Sequence, residues 1–148
     1  MDKTDVKILH ILQQDGRKPI KEIAQEVFLS SPAVSARIER LEREGIITGY
    51  RAEVDMEKLG YYITAFVDVA MEPSKKPRFY SYIEKVPNVL ECSCVTGEHT
   101  MHIKTAFHTT ADLDEFVMEL QKYGQTRTKI VFSTSVKPRG IDVYGMEP

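Results

Sequence analysis

The sequence lacks any apolar run near the roughly 18 residues of a membrane-spanning helix. It also lacks an excess of either charge: 20 Lys and Arg face 22 Asp and Glu, a formal net charge of -2. The two halves divided at Gly60 share that charge evenly. The field of the whole molecule therefore does not announce a nucleic-acid partner, and DNA contact needs a local basic patch. Only two cysteines occur, Cys92 and Cys94, one residue apart, which excludes a disulfide framework. The opening stretch MDKTDVKILHILQQDG is charged from its second residue and has neither the apolar segment nor the cleavage site of a secretory signal. A cytoplasmic location follows as the expectation, where thiols stay reduced. No nucleophile elbow, phosphate-binding Walker loop or glycine-rich dinucleotide motif is present, so the chain is read as neither an enzyme nor a cofactor carrier. Internal repeats and low-complexity tracts are also missing.

What remains is a chain of 148 residues, 42% apolar, enough for one domain or two small ones. Its start shows three helical patterns. Ile8, Leu9 and Leu12 share one face of a first helix that Gly16 would close. Pro19 suits the first turn of a second helix carrying Ile20, Ile23, Ala24 and Val27. After a break at residues 28–30, Ser31-Pro32 reads as the cap and first residue of a third helix. Val34, Ile38 and Leu41 form its buried stripe, and Gly45 ends it. Residues 46–55, IITGYRAEVD, have two short β-prone runs around Thr48-Gly49 and predict a hairpin or wing. MEKLG, 56–60, reads as a linker.

The second half changes period. Residues 61–71 alternate as a strand, with Ile63, Ala65, Val67 and Val69 on one side. A short helix from Pro77 to Lys85 follows, then strands over 89–96 and 101–107 turned at Gly97-Glu98. A helix over 110–123 carries Leu113, Phe116, Val117 and Leu120, and a last strand covers 126–137. The order β-α-β-β-α-β is the ferredoxin-like arrangement. The fold class is thus α+β: a winged helix-turn-helix over 1–55, with the helix-turn-helix at about 20–42, a linker at 56–60, and a ferredoxin-like domain over 61–138. The tail, 139–148, is expected to be loose.

Both sheet faces look partly apolar. One would use Val67, Val69, Ile103, Phe107, Ile130 and Phe132; the other offers Tyr62, Phe66, Ala106 and Val131 among polar residues. Two helices cover only one face of a four-stranded sheet, so the second predicts a homodimer, against the plainer alternative of a solvated face with scattered aromatics.

Two helices joined by a tight turn make a DNA-reading unit, because the major groove admits one helix whose N-terminal side chains reach base edges. The expected contacts are Ser30, Ser31, Pro32, Ala33, Ser35, Ala36, Arg37, Arg40 and Arg43. Short residues near the tip permit close approach, and the arginines reach phosphate or guanine. Arg40 lies opposite the buried stripe and is expected to be dispensable for folding. Arg37 flanks the stripe and equally well pairs with a carboxylate such as Asp5 or Glu22. The alternative is a three-helix bundle whose charged outer face only solvates it, ERLERE being compatible with that. The chain would then be a small-molecule-binding or assembly module with a protein-interaction platform.

The spacing of Asp5, Ile8, Leu9 and Leu12, then Asp15-Gly16-Arg17, Leu29-Ser30, Arg37-Ile38, Leu41-Glu42 and Gly45-Ile46-Ile47, resembles the Lrp/AsnC family, the feast/famine regulators. The likeness continues through Val54-Asp55, Leu59-Gly60, Val95-Thr96-Gly97-Glu98 and Ile130-Val131-Phe132. It implies a transcriptional regulator that binds double-stranded DNA on the nucleoid, forms homodimers that assemble into octamers, and responds to an amino acid or related small molecule. Two positions depart from the pattern. Phe28 stands where the family has a turn glycine, and Thr100 where it has an aspartate.

The resemblance places an effector between subunits, near the turn of the two middle strands. Thr96, Gly97, Glu98, His99 and Thr100 form that turn here, and Thr126 and Thr128 of the last strand offer hydroxyls. Gly97 lets backbone approach a ligand, and Glu98 is the nearby carboxylate for an α-amino group. With Thr100 in the aspartate's place, weak amino-acid binding or none is expected; the alternative is a plain hairpin turn. Cys92, Cys94, His99 and His102 have metal-ligating chemistry but no knuckle spacing, and are read as packing residues rather than a metal site.

Overall fold

The computed structural model describes residues 1–146, and the chain divides into two compact units. One comprises Met1–Glu53 together with the segment from Val136 onward; the other is Val54–Ser135.

The first unit contains α1 (Lys3–Gln14), α2 (Ile20–Glu26) and α3 (Ser31–Arg43). Asp2 caps α1: its carboxylate accepts from the Asp5 backbone N–H while the Asp5 carboxylate accepts from the Asp2 N–H, a reciprocal capping box. Ser30, one residue before the expected position, caps α3, and Pro32 lies in the first turn. Val34, Ile38 and Leu41 are buried as their spacing predicts. Val34 and Ile38 pack with Ile8, Ile23, Ala24 and Val27. Gly45, at φ 69, closes α3 in the left-handed conformation, which lets the Ile46 N–H reach the Leu41 carbonyl at 2.9 Å.

Two expectations for this unit are corrected. Residues 46–55 form no strand ladder among the described residues, so the expected hairpin is absent there. The segment is tied to α3 instead: the Ile46 and Ile47 N–H groups reach the Leu41 carbonyl, and the Tyr50 hydroxyl donates to Glu42 at 2.9 Å. The expected loose tail is also held at one point, Val143, though residues 139–142 and 144–145 are exposed. Val143 is 4% exposed and fills a cluster with Val6, Leu9 and Leu41, and Tyr144 lies 4.9 Å from His10, ring to ring. The apolar area that Val143 removes from water holds the segment.

The second unit is a four-stranded antiparallel sheet in the order β2-β3-β1-β4, with α4 and α5 on one face. Its elements are β1 (Ile63–Met71), α4 (Lys76–Ile83), β2 (Val89–Cys94), β3 (Met101–Phe107), α5 (Thr110–Gln121) and β4 (Gly124–Ile130). Ala65, Val67 and Val69 alternate into a core with Phe79, Ile103 and Leu120, all with negligible exposure. A Thr109–Asp112 capping box starts α5. The expected linker, 56–60, is a hydrogen-bonded turn of this unit: the Gly60 N–H reaches the Glu57 carbonyl at 2.9 Å, and His108 Nδ1 donates to the Gly60 carbonyl at 2.7 Å.

The last strand is shorter than expected. It runs antiparallel to β1, which begins at Ile63, so residues beyond Ile130 run out of partner after one bond from the Val131 N–H to Thr64. Ile130 is therefore exposed, and Phe132, expected on the core face, is 99% exposed. The face away from the helices is also not apolar. Register puts Phe66, Asp68, His102, Lys104, Arg127 and Lys129 on it. Asp68 takes a hydrogen bond from His102 Nδ1 at 2.5 Å and an ion pair from Lys129 at 2.7 Å, and the His102 ring stacks on Phe66 at 5.0 Å.

Candidate functional site

The helix-turn-helix is positioned by the turn between α2 and α3. Phe28 occupies it at φ 57, the left-handed region that disfavours any residue with a Cβ. Its side chain is 90% exposed, so no packing offsets that strain. The turn is held by the Leu29 N–H to the Ala24 carbonyl at 2.9 Å, while Ala24 and Val27 pack beneath it.

From there α3 presents an outer line at helical spacing: Pro32, Ala36, Glu39 and Arg43 are all exposed. Ser30 is exposed beside it, and Ser31, Ala33 and Ser35 are at its flanks, Ser31, Ala33 and Ser35 being less open than the line itself. These expected contacts therefore fall together on one surface. Glu39 shares the line with Arg43.

Arg37 and Arg40 point elsewhere. Arg37 Nη1 lies 2.7 Å from a carboxylate oxygen of Asp2 and 2.7 Å from one of Asp5; Arg40 Nη2 lies 2.6 Å from the other Asp5 oxygen. The alternative that paired Arg37 with Asp5 holds. The expectation that Arg40 stands free, and is dispensable for folding, is corrected: it is tied to a carboxylate whose side chain is 1% exposed. Burial opposes ionisation of Asp5, but the Asp2 N–H and the two guanidinium groups outweigh it and hold the carboxyl below its ordinary value. The Asp5 N–H, with Arg37, draws Asp2 down to about 2. Sequence reasoning named Asp5 as a partner for Arg37 but missed Asp2, and missed that Asp5 also holds Arg40. The spacing Asp-x-x-Asp before an apolar helical run was their signal.

In the second unit the loop over 95–100 is closed by the Val95 N–H to the Thr100 carbonyl at 2.7 Å. Gly97 adopts φ 113 with open space around it. Thr96 and Glu98 are exposed, His99 and Thr100 half-buried, and the Thr100 Oγ1 is buried without a hydrogen-bond partner. Thr126 and Thr128 are not brought to this loop within one chain. They lie on β4, which β1 separates from β3, about 10 Å away across two strand spacings. The cysteines and histidines are also divided. Cys92 and Cys94 pair with Ile103 and Met101 on the helix-covered face, whereas His102 lies on the other. Burial pushes the Cys92 thiol up.

Comparison with known proteins bears on both units. Residues 1–48 match the model of a winged helix-turn-helix DNA-binding domain, and residues 64–141 match the Lrp/AsnC ligand binding domain. The chain belongs to the Lrp/AsnC family. It is 32% identical to the transcriptional regulator LrpC of Bacillus subtilis over 90% of this chain and 92% of that one. The solved structure of LrpC superposes with a TM-score of 0.88 at 30% identity, covering 93% of this chain and 99% of that one. A transcriptional regulator from Neisseria meningitidis, solved as its L-Met complex, superposes with a TM-score of 0.86 at 29% identity over 94% of each chain. An Lrp/AsnC-type helix-turn-helix transcriptional regulator is thus the class of this protein, and its α+β fold is that of the family.

Proposed function

We propose that the protein reads double-stranded DNA through the outer surface of α3, with Ser30, Ser31, Pro32, Ala33, Ser35, Ala36 and Arg43 as contacts. The observation that carries this is the exposed line from Pro32 to Arg43 beside a buried stripe, which lets α3 enter the major groove while α1 and α2 hold it. Titration of duplex DNA at two salt concentrations tests it. Binding with a marked salt slope is expected; no binding to any duplex at low salt would overturn it and favour an assembly module.

The working unit is a homodimer, acting in the cytoplasm on the nucleoid. The sheet face bearing Phe66, Asp68, His102 and Lys129 supports this, since both charge signs and an aromatic make it self-complementary about a two-fold axis. Two copies of α3 would then address half-sites about 34 Å apart. Light scattering at micromolar concentration tests the dimer, and a stable monomer would overturn it; octamers are a further step that the same measurement reads.

The effector is an amino acid or related small molecule held at Thr96, Gly97, Glu98, His99 and Thr100, with Thr126 and Thr128 contributed across a subunit boundary. Support comes from the L-Met complex of the Neisseria relative and from the unpartnered Thr100 Oγ1, which a ligand's polar group would satisfy. Calorimetry with the twenty amino acids checks it; binding undiminished by Glu98→Ala would remove Glu98 as the amine anchor.

A further inference from the structure

Asp5 and Asp2 are three residues apart at the start of α1, and Arg37 and Arg40 are three apart on α3, so the four side chains meet on facing helix surfaces. The buried Asp5 carboxylate accepts three hydrogen bonds, from the Asp2 N–H at 2.8 Å, Arg37 at 2.7 Å and Arg40 at 2.6 Å. Asp2 takes the second contact of Arg37. Two cations and two anions close on each other with no net charge. Arg40 Nε is itself buried without a hydrogen-bond acceptor, 3.9 Å from Glu44, so that edge of the guanidinium is turned into the protein. Of the three cations on α3, Arg43 alone lies on the outer line.

We propose that Asp5 is a positioning residue for DNA reading: it holds Arg37 and Arg40 as a neutralised pair, so that α3 approaches DNA with Arg43 as its working cation. The inference rests on the DNA reading above. Salt-dependent affinity grows with the number of phosphates that cations neutralise. A guanidinium engaged by a buried carboxylate must leave that carboxylate uncompensated before it adds to the count, which low-dielectric surroundings make expensive. The clamp therefore lowers the sequence-independent part of the affinity. It also fixes the rotation of α3 on α1, so that Pro32 and Ala36, rather than two long mobile cations, meet the groove. Discrimination between sequences gains from both effects.

Salt titrations of the full chain on a random-sequence duplex, and on a duplex recovered from genomic fragments, test this. Arg40→Gln should lower the melting temperature and leave the slope of log affinity against log salt unchanged on the random duplex. Folded Asp5→Asn should steepen that slope by about 0.9 for each additional phosphate neutralised, and the ratio of selected to random affinity should fall several-fold. A slope shallower by about 0.9 in Arg40→Gln would overturn the inference, because Arg40 would then be touching phosphate directly. A folded Asp5→Asn that melts lower but keeps both slope and ratio would reduce Asp5 to a purely structural role and overturn it too. Where Asp5→Asn does not fold, Arg37→Gln and Arg40→Gln decide by the same slope criterion. Absence of duplex binding by the unsubstituted chain would instead remove the DNA reading, and this inference with it.

Discussion

The sheet unit closes over one apolar cluster running from Ala65 to Tyr123, whereas the helical unit divides its buried side chains between two small clusters and seals one helix seam with charge. The difference follows from shape. A four-stranded sheet under two helices offers a continuous inner face, and period-two alternation fills it with Val, Ile and Phe. Three short helices around a protruding reader leave little room for a shared centre, so α3 must be oriented by directed contacts as well as by area. One unit should thus be most sensitive to lost volume, the other to lost charge.

The largest expected effect is on volume. Phe79 is fully buried against Tyr123, and Phe79→Ala should destabilise the sheet unit by about 3–5 kcal/mol. Hydrogen exchange resolved by residue should show lost protection in the strands first; equal loss in α1–α3 would break the contrast. Next comes charge. Asp5→Ala removes the buried carboxylate shared by Arg37 and Arg40, leaving Arg37 only Asp2, an expected loss of about 2–3 kcal/mol concentrated in the helical unit.

Acid sharpens the same contrast. Asp2 has a folded value of about 2, below its ordinary 3.8, and Asp5 is shifted the same way. The contribution of Asp2 is therefore present above its ordinary 3.8 and lost as pH falls through about 2, and that of Asp5 is likewise lost in acid. The gap in melting temperature between the unsubstituted chain and Asp2→Asn should close over that interval and be constant at neutral pH. Phe28→Gly should stabilise, by about 0.5–1 kcal/mol, because it relieves a left-handed residue whose ring packs on nothing; a lower melting temperature would show that the ring has a folded-state partner. The smallest effect is on binding: Glu39→Gln removes a carboxylate from the outer line and should raise duplex affinity a few-fold on every sequence tested.

Periodicity made the helices and the strand order legible, because Val34, Ile38 and Leu41, or Ala65, Val67 and Val69, each repeat a local rule. The family motifs added the functional class. What escaped was non-local. The Arg40–Asp5 pair joins residues 35 apart, and nothing around Arg40 distinguishes it from Arg43 until α1 is laid against α3. Val143 lies in a short tail, RGIDVYGMEP, whose apolar residues have no period to flag it. Strand β4 was overestimated because β propensity continues past Ile130 while its partner does not. The second sheet face was misjudged by counting its aromatics without pairing them across the register with Asp68, Lys104 and Lys129.

The packing of Val143 makes the helical unit discontinuous: the polypeptide leaves it near Glu53, builds the whole sheet unit, and only then returns. During synthesis the reader's helices emerge before the sheet unit, yet Leu41, Leu9 and Val6 keep an apolar gap open until Val143 has been made. Over that interval the nascent reader carries a sticky patch, while the sheet unit already has all its strands. A regulator assembled in this order completes its helix-turn-helix half only after its sheet half.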